Sequence, residues 1–321
     1  MSPALGSIGA ALGAAWWEAK RRTYAYGLLR PRRVPARVVS IGNLTLGGTG
    51  KTTLTLHLAH RGRDRGLAVA VVSKRYRPGP GGRGDEEALY QERLGDARVF
   101  AGRRKLSLAA RAAAAGFELV LVDDGFSHWA LERDLDVVLL DGRDLWGGGR
   151  LLPGGRLREP RRALQRAGVV VVSRLSPGQD PAPLMAEVRA YAPGALIGAA
   201  RHRVSGVRNL GGAPAAASGR ARVVTATGNP GAVEASAREA GFDVVALSRY
   251  RDHEWFGAAA ARRELDAAAA AGAVVLLTAK DAVRWPREAP LENVRVLEVE
   301  WAWCAAGEAV EQQVFESRSG A

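Results

Sequence analysis

The stretch Arg37-Val-Val-Ser-Ile41, continued by Gly42-Asn-Leu-Thr-Leu-Gly-Gly-Thr-Gly-Lys-Thr52, decides how this chain is read. A short β-branched run leads into a glycine-rich turn, and the turn opens a helical segment, Thr52–Arg61. The order is strand, loop, helix. Within it, Thr45-Leu46-Gly47-Gly48-Thr49-Gly50-Lys51-Thr52 has the context that a phosphate-binding loop needs. Backbone N–H groups of such a loop point at phosphate oxygens, and the helix N-terminus adds positive potential. Lys51 would reach the β- and γ-phosphates of a nucleotide, and the Thr52 hydroxyl would hold Mg²⁺. The strict pattern begins with glycine where Thr45 stands. Gly47, Gly48 and Gly50 still permit close approach of backbone to ligand. The competing reading is a glycine-rich turn that only resembles the motif.

Further strands flank this unit. Leu67–Ser73, Leu119–Val122, Val137–Leu140 and Val169–Val172 are continuous apolar runs, as expected of strands covered on both faces. Leu106–Ala115 reads as an alanine-rich helix, and Tyr76–Gly84, with its prolines and glycines, as a loop. After about residue 195 the pattern weakens, then restarts with strands at Val223–Ala226, Val244–Ala246 and Val274–Leu277. Helices near Ala232–Ala240 and Ala258–Ala271 alternate with them. The expectation is an α/β chain of P-loop NTPase type, its mostly parallel sheet covered by helices, with a second, smaller α/β domain. The boundaries read as a helical segment at 1–33, a catalytic domain at 34–195, the smaller domain at 196–300, and a C-terminal segment at 301–321. Val294–Val299 reads as a strand returning toward the first domain.

The chain has 321 residues, 47% hydrophobic and 25% charged, which is ordinary globular composition. Lys and Arg total 46 against 33 Asp and Glu, a formal charge of +13 supplied almost wholly by arginine. Such a balance suits nucleic acid, anionic lipid or a phosphorylated substrate. With no nucleic-acid module and no aromatic–basic alternation, nucleic acid is not expected as a partner. Nor does any feature announce an obligate protein partner. Cys304 is the only cysteine, so an intrachain disulfide is impossible and the chain suits a reducing compartment. Leu5–Trp17 is apolar and rich in small residues, with Lys20, Arg21 and Arg22 behind it. It is read as a helix, with Trp16, Trp17, Tyr24 and Tyr26 near one end and Arg30, Arg32 and Arg33 following. Such a helix either lies on a membrane surface or packs on its own domain.

Leu119-Val-Leu-Val-Asp123-Asp124 ends a buried strand in two acids. Ligands of parallel sheets gather at carboxyl strand ends, so one of these acids is a candidate Mg²⁺ partner. Simple helix-capping acids are the alternative. Asp85, after the flexible loop, is placed as a mobile carboxylate, and His253 lies far along in the second domain. Brought together, a carboxylate and a histidine can take a proton from a sugar hydroxyl.

Together these motifs resemble the tetraacyldisaccharide 4′-kinase family, the lipid A 4′-kinases. The resemblance rests on Ser40–Thr52, Gly84-Asp85-Glu86, Asp123-Asp124-Gly125-Phe126, Arg133-Asp-Leu-Asp136, Gly149-Arg-Leu-Leu-Pro-Gly154 and Leu157-Arg-Glu-Pro160. It continues through Gly228-Asn-Pro230, Asp252-His253 and Thr278-Ala-Lys-Asp-Ala-Val283. It implies transfer of the ATP γ-phosphoryl to the 4′-hydroxyl of tetraacyldisaccharide 1-phosphate, giving lipid IVA, with Mg²⁺. A P-loop ATPase, or a divergent kinase acting on another sugar lipid, is the rival. The resemblance also implies two domains joined by a short β linker, an active site in the cleft, and peripheral attachment to the cytoplasmic face of the bacterial inner membrane. Carried over by position, Asp85 is the base, His253 its partner, and Lys51 and Thr52 the nucleotide and metal residues. Thr53 closes the phosphate segment where the family has proline, and Tyr76 matches an aromatic of the nucleotide site. Glu86, Asp123, Asp124, His128, Arg158, and Arg103 or Arg104, match substrate-side positions. Asp124 and Glu159 are further metal candidates. The family pattern is altered at Arg75, Glu87, Ser127 and Ala279.

Overall fold

The computed structural model describes residues 3–288 and 292–316, with side chains from residue 9 onward. The extremes of the 1–33 and 301–321 segments, and the side chains of Leu5 to Ile8, thus lie outside the described residues. In chain order the elements are α1 (Pro3–Ala25), β1 (Arg37–Asn43), α2 (Lys51–Asp64), β2 (Val69–Lys74) and α3 (Asp85–Leu94). There follow β3 (Val99–Gly102), α4 (Lys105–Ala114), β4 (Leu119–Asp123), β5 (Leu135–Asp141), β6 (Val169–Ser173) and α5 (Ala182–Arg189). The chain continues with β7 (Leu196–Asn209), β8 (Gly219–Thr225), α6 (Pro230–Glu239), β9 (Phe242–Arg249) and α7 (Ala258–Ala270). It ends with β10 (Val274–Thr278), α8 (Ala279–Ala282), β11 (Val294–Ala305) and α9 (Gly307–Phe315).

These elements form two compact units. One comprises residues 1–74, 94–202 and 301–321, the other residues 75–93 and 203–300. The long strands β7 and β11 carry the chain out of the first unit and back. Residues 75–93, read from sequence as part of the first domain, belong to the second unit.

In the first unit the strand order β3-β2-β4-β1-β5-β6-β7 is parallel throughout. Val38 and Val39 point to opposite faces, and both are fully buried. A parallel sheet covered on two sides requires this, and it explains the unbroken apolar runs. Helix α4 sends Leu108, Ala109 and Ala112 onto Val38, Ala70, Val72 and Val120. Trp17 of α1 and Val188 of α5 join Val138, Leu140 and Val170. Helix α2 packs on β1, β2 and β4. In the second unit β9-β8-β10-β11 is again parallel. Its core joins Val224, Ala261, Leu265, Val275 and Leu277.

Helix α1 is packed along one face. Gly9, Gly13, Trp17, Lys20 and Tyr24 recur at helical spacing. A Cβ on Gly13 would lie 1.9 Å from the Leu152 carbonyl oxygen, so only glycine lets the helix approach there. Trp17 Nε1 donates to Glu159 at 2.9 Å, and Lys20 Nζ to the Ser127 carbonyl at 2.9 Å. Leu12 and Trp16 on the other face are each 65% exposed. One face of the helix therefore packs on its own domain, and the other is exposed.

Candidate functional site

In the first unit, β1 ends at Asn43 and α2 begins at Lys51, so the phosphate segment is the turn between them. Gly50 caps α2 with φ 87°, a left-handed conformation that glycine adopts without penalty. The turn's carbonyls all face protein donors. Asn43 Nδ2 donates to the Thr45 and Gly47 carbonyls at 2.6 and 3.3 Å. Arg156 Nη2 reaches the Leu46 carbonyl at 3.0 Å, Arg174 Nη1 the Gly48 carbonyl, and Ser173 Oγ the Thr49 carbonyl at 2.8 Å. The Gly50 carbonyl accepts from the Leu54 N–H at 3.0 Å. From Gly47 to Thr53, by contrast, no backbone N–H meets a protein acceptor among the described residues. A loop with its carbonyls engaged and its N–H groups turned the other way is an anion cradle.

The charges around it follow the same logic. Lys51 Nζ stands 3.9 Å from Asp124 Oδ1, which also accepts from Arg158 Nη1 at 2.6 Å. Asp124 follows β4 with φ 51°, unusual for a side chain other than glycine. Lys105 Nζ holds it there by donating to the Asp123 and Asp124 carbonyls at 2.6 and 2.5 Å. Burial pushes the Asp124 carboxyl up, but Lys51, Arg158 and Lys105 outweigh it and hold it below the usual carboxylate range. Lys105 is itself pushed down, by burial first and by neighbouring lysines, with the two acids opposing. Arg103 and Arg104, expected from sequence to face the substrate, are exposed. The buried cation beside the acids is Lys105, which sequence reading missed. Composition carried a signal: Lys20, Lys51, Lys74, Lys105 and Lys280 are the chain's lysines, set among many arginines.

Glu159, a metal candidate from sequence, has both carboxylate oxygens engaged by protein donors. Trp17 Nε1, Ser127 Oγ and Arg166 Nη2 donate to its two oxygens at 2.9, 2.7 and 2.8 Å. It ties α1 to the turn after β4, and Ser127, an altered family position, supplies one of the three bonds. His128 lies nearby, its Nε2 buried without a hydrogen-bond partner among the described residues. Burial, with help from Lys105, Arg133 and Lys20, lowers its pKa to about 4, so the ring is neutral near pH 7.

The second unit carries the Asp–His pair. Asp85 is the first residue of α3 and only 2% exposed, not the mobile loop carboxylate expected from sequence. Its Oδ1 accepts from the Glu86 N–H at 2.9 Å. Its Oδ2 lies 2.8 Å from His253 Nδ1, 3.2 Å from Arg284 Nη1 and 3.6 Å from Lys280 Nζ. Burial pushes the carboxyl up, but His253, Lys280 and Arg284 together bring it down to about 2. His253 sits at φ 62°, its N–H on the Ala226 carbonyl at 3.1 Å and its ring edge-on to Tyr76 at 5.3 Å. Backbone strain of this kind persists where surroundings over-determine it, often at functional positions. Lys280 Nζ also pairs with Glu86 at 3.1 Å. Two altered family positions meet here: Arg75 grips Glu87 with two hydrogen bonds of 2.8 Å. The two altered positions are thus paired with each other.

Among the described residues Arg284 is the largest fully buried side chain, with its guanidinium between Asp85 and Asp281. Removing one partner of a buried charge cluster leaves the other uncompensated. Arg284→Leu is therefore expected to destabilise the second unit by about 3–5 kcal/mol in denaturant unfolding. A loss below about 1 kcal/mol would show that water reaches these acids.

Comparison with known proteins places the chain among phosphotransferases. A family model described as LpxK, tetraacyldisaccharide-1-P 4′-kinase, matches residues 4–317. A tetraacyldisaccharide 4′-kinase of Anaeromyxobacter sp. is 38% identical over 291 residues, covering 83% of this chain and 78% of its own length. One from Geobacter metallireducens is 35% identical over 285 residues, covering 81% and 82%. A crystal structure of LpxK from Aquifex aeolicus in complex with ATP matches with a TM-score of 0.71 and 23% identity, over 95% of this chain and 96% of its own.

Proposed function

Because this chain belongs to the tetraacyldisaccharide-1-P 4′-kinase family, we propose that its first unit holds ATP at the phosphate loop and its second unit takes the proton from the acceptor hydroxyl. The reaction moves the γ-phosphoryl of ATP to the 4′-hydroxyl of tetraacyldisaccharide 1-phosphate. The loop whose carbonyls are all engaged carries this reading on the donor side. Its N–H groups and Lys51 attract the triphosphate, and Arg158 adds charge beside Asp124.

The residues fit Mg²⁺. That ion takes one or two carboxylates and completes its shell with phosphate oxygens and water. Among the described residues Arg158 and Lys51 approach the Asp124 carboxylate at Oδ1, which leaves Oδ2 for an ion, and Thr52 opens α2 directly after Lys51. Asp124 and Thr52 are the residues that would hold Mg²⁺; Glu159, with both oxygens engaged, is not. When bound, the ion neutralises charge on the phosphate oxygens.

Asp85 and His253 exchange the parts that the family resemblance implies. Asp85 is buried, strongly acidic and engaged at both oxygens, so it is a poor acceptor for a hydroxyl proton. A carboxylate facing Nδ1 places the ring proton on that nitrogen and leaves the lone pair on Nε2. His253 Nε2 therefore accepts the proton, and Asp85 orients the ring through its 2.8 Å contact with Nδ1. The test is product analysis: labelled phosphate from ATP appears on tetraacyldisaccharide 1-phosphate and not on its 4′-deoxy analogue. Equal labelling of both lipids would refute the reading.

No described helix is long and apolar enough to cross a membrane. The outer face of α1 supports surface attachment at the cytoplasmic face of the inner membrane. Tyr26, Leu28 and Leu29 extend the exposed apolar strip beyond Leu12 and Trp16, with Arg30, Arg32 and Arg33 behind it. Apolar insertion and attraction to anionic headgroups then act together. The double variant Leu12→Ser, Trp16→Ser is expected to bind anionic vesicles about tenfold more weakly or worse. Unchanged sedimentation with vesicles would reject membrane contact through α1.

A further inference from the structure

We infer that Arg174 is the positioning residue that fixes the polarity of the phosphate loop, an inference that rests on this loop being the ATP site. A peptide unit presents its N–H on one side and its carbonyl on the other, so a flip of the unit exchanges them. On the Gly48 side of that unit no Cβ opposes such a flip, and the preceding Gly47 already stands at φ 115°. Flipping the Gly48–Thr49 unit would aim a carbonyl where the Thr49 N–H stands. Attraction for phosphate would become repulsion.

Arg174 opposes that flip. Its Nη1 donates to the Gly48 carbonyl and to Asp141 Oδ2, the latter at 3.1 Å, and its side chain is 9% exposed. The preceding residue, Ser173, places Oγ 2.8 Å from the next carbonyl, that of Thr49. Two consecutive residues thus hold two consecutive carbonyls. The grip is anchored on rigid elements, because Asp141 ends β5, Ser173 ends β6, and these strands pair in parallel with Asp141 opposite Ser173. The cost is visible in the backbone: Arg174 adopts φ 62°, a region that L side chains rarely enter. Left-handed backbone directly after β6 is what a flexible glycine would ordinarily supply. Here an arginine occupies it, and its side chain returns to the loop. The guanidinium touches no substrate atom in this account; it acts through the direction of the Thr49 N–H.

The experiment measures ATP binding by calorimetry and both Michaelis constants for wild type, Arg174→Ala, Arg174→Lys and Ser173→Ala. Loss of a charge-assisted bond predicts an ATP dissociation constant raised about tenfold or more in Arg174→Ala. The KM for ATP rises with it, the KM for the lipid acceptor stays put, and Arg174→Lys recovers part of the loss. Ser173→Ala removes one hydroxyl, keeps the fold, and raises the constant severalfold. ATP affinity within twofold of wild type in a folded Arg174→Ala overturns the inference. So does a parallel rise in both Michaelis constants, which marks a merely structural role. If Arg174→Ala does not fold, unchanged ATP affinity in Ser173→Ala overturns it instead. Failure of wild type to bind ATP would refute the nucleotide site itself, a separate outcome.

Discussion

Lys51→Ala is expected to lower the transfer rate by about 10²–10³ while leaving the protein folded. The magnitude is that of removing one preorganised charge from a developing transition-state anion. The fold survives because Asp124 keeps Arg158 at 2.6 Å and Lys105 on its backbone, so no buried carboxylate is stranded. Lys51→Arg does not repair the loss. A broad planar guanidinium does not occupy the place of a compact ammonium, and this chain uses arginine nearly everywhere else. Steady-state rates and thermal melts of the two variants check this. A rate within threefold of wild type would remove Lys51 from the reaction.

His253→Ala is expected to cost about 10²–10⁴ in rate, the usual contribution of a positioned proton acceptor. ATP affinity should not change, since among the described residues His253 bonds to Asp85 and the Ala226 carbonyl and stacks edge-on with Tyr76, all within the second unit. Added imidazole should restore part of the activity, because the missing group is itself an imidazole. Asp85→Ala should lose a comparable factor without imidazole rescue. Its ring-orienting carboxylate is gone, and Lys280 and Arg284 are left with one acid fewer. If Asp85→Ala is far worse and imidazole never helps His253→Ala, Asp85 is the direct acceptor.

The central strands were legible because a parallel sheet buried on both faces leaves only unbroken β-branched runs, as at Val169–Val172. The glycine-rich turn was legible because Gly47, Gly48 and Gly50 fall within four residues, between a β-branched run and a helical one. Helix α3 was missed because its start, Asp85-Glu86-Glu87, is acidic and follows a glycine-rich loop. What buries Asp85 is charge from Lys280 and Arg284, nearly two hundred residues on, and no local period records that. Strand β7 escaped notice for a similar reason: Arg201-His202-Arg203 interrupts its apolar pattern. The carbonyl clamp was invisible too, since Asn43, Arg156, Ser173 and Arg174 converge on the loop only after β1, β5 and β6 have paired. Lys105 stood one residue beyond the arginines that sequence favoured, where entry into α4 turns it inward.

Transfer of labelled γ-phosphate to tetraacyldisaccharide 1-phosphate in detergent micelles, with ATP consumption followed in parallel, tests the central claim most directly. The account predicts one labelled lipid per ATP consumed and little consumption when the lipid is withheld. Steady ATP hydrolysis with no labelled lipid would contradict it, leaving a nucleotide site that serves some other reaction.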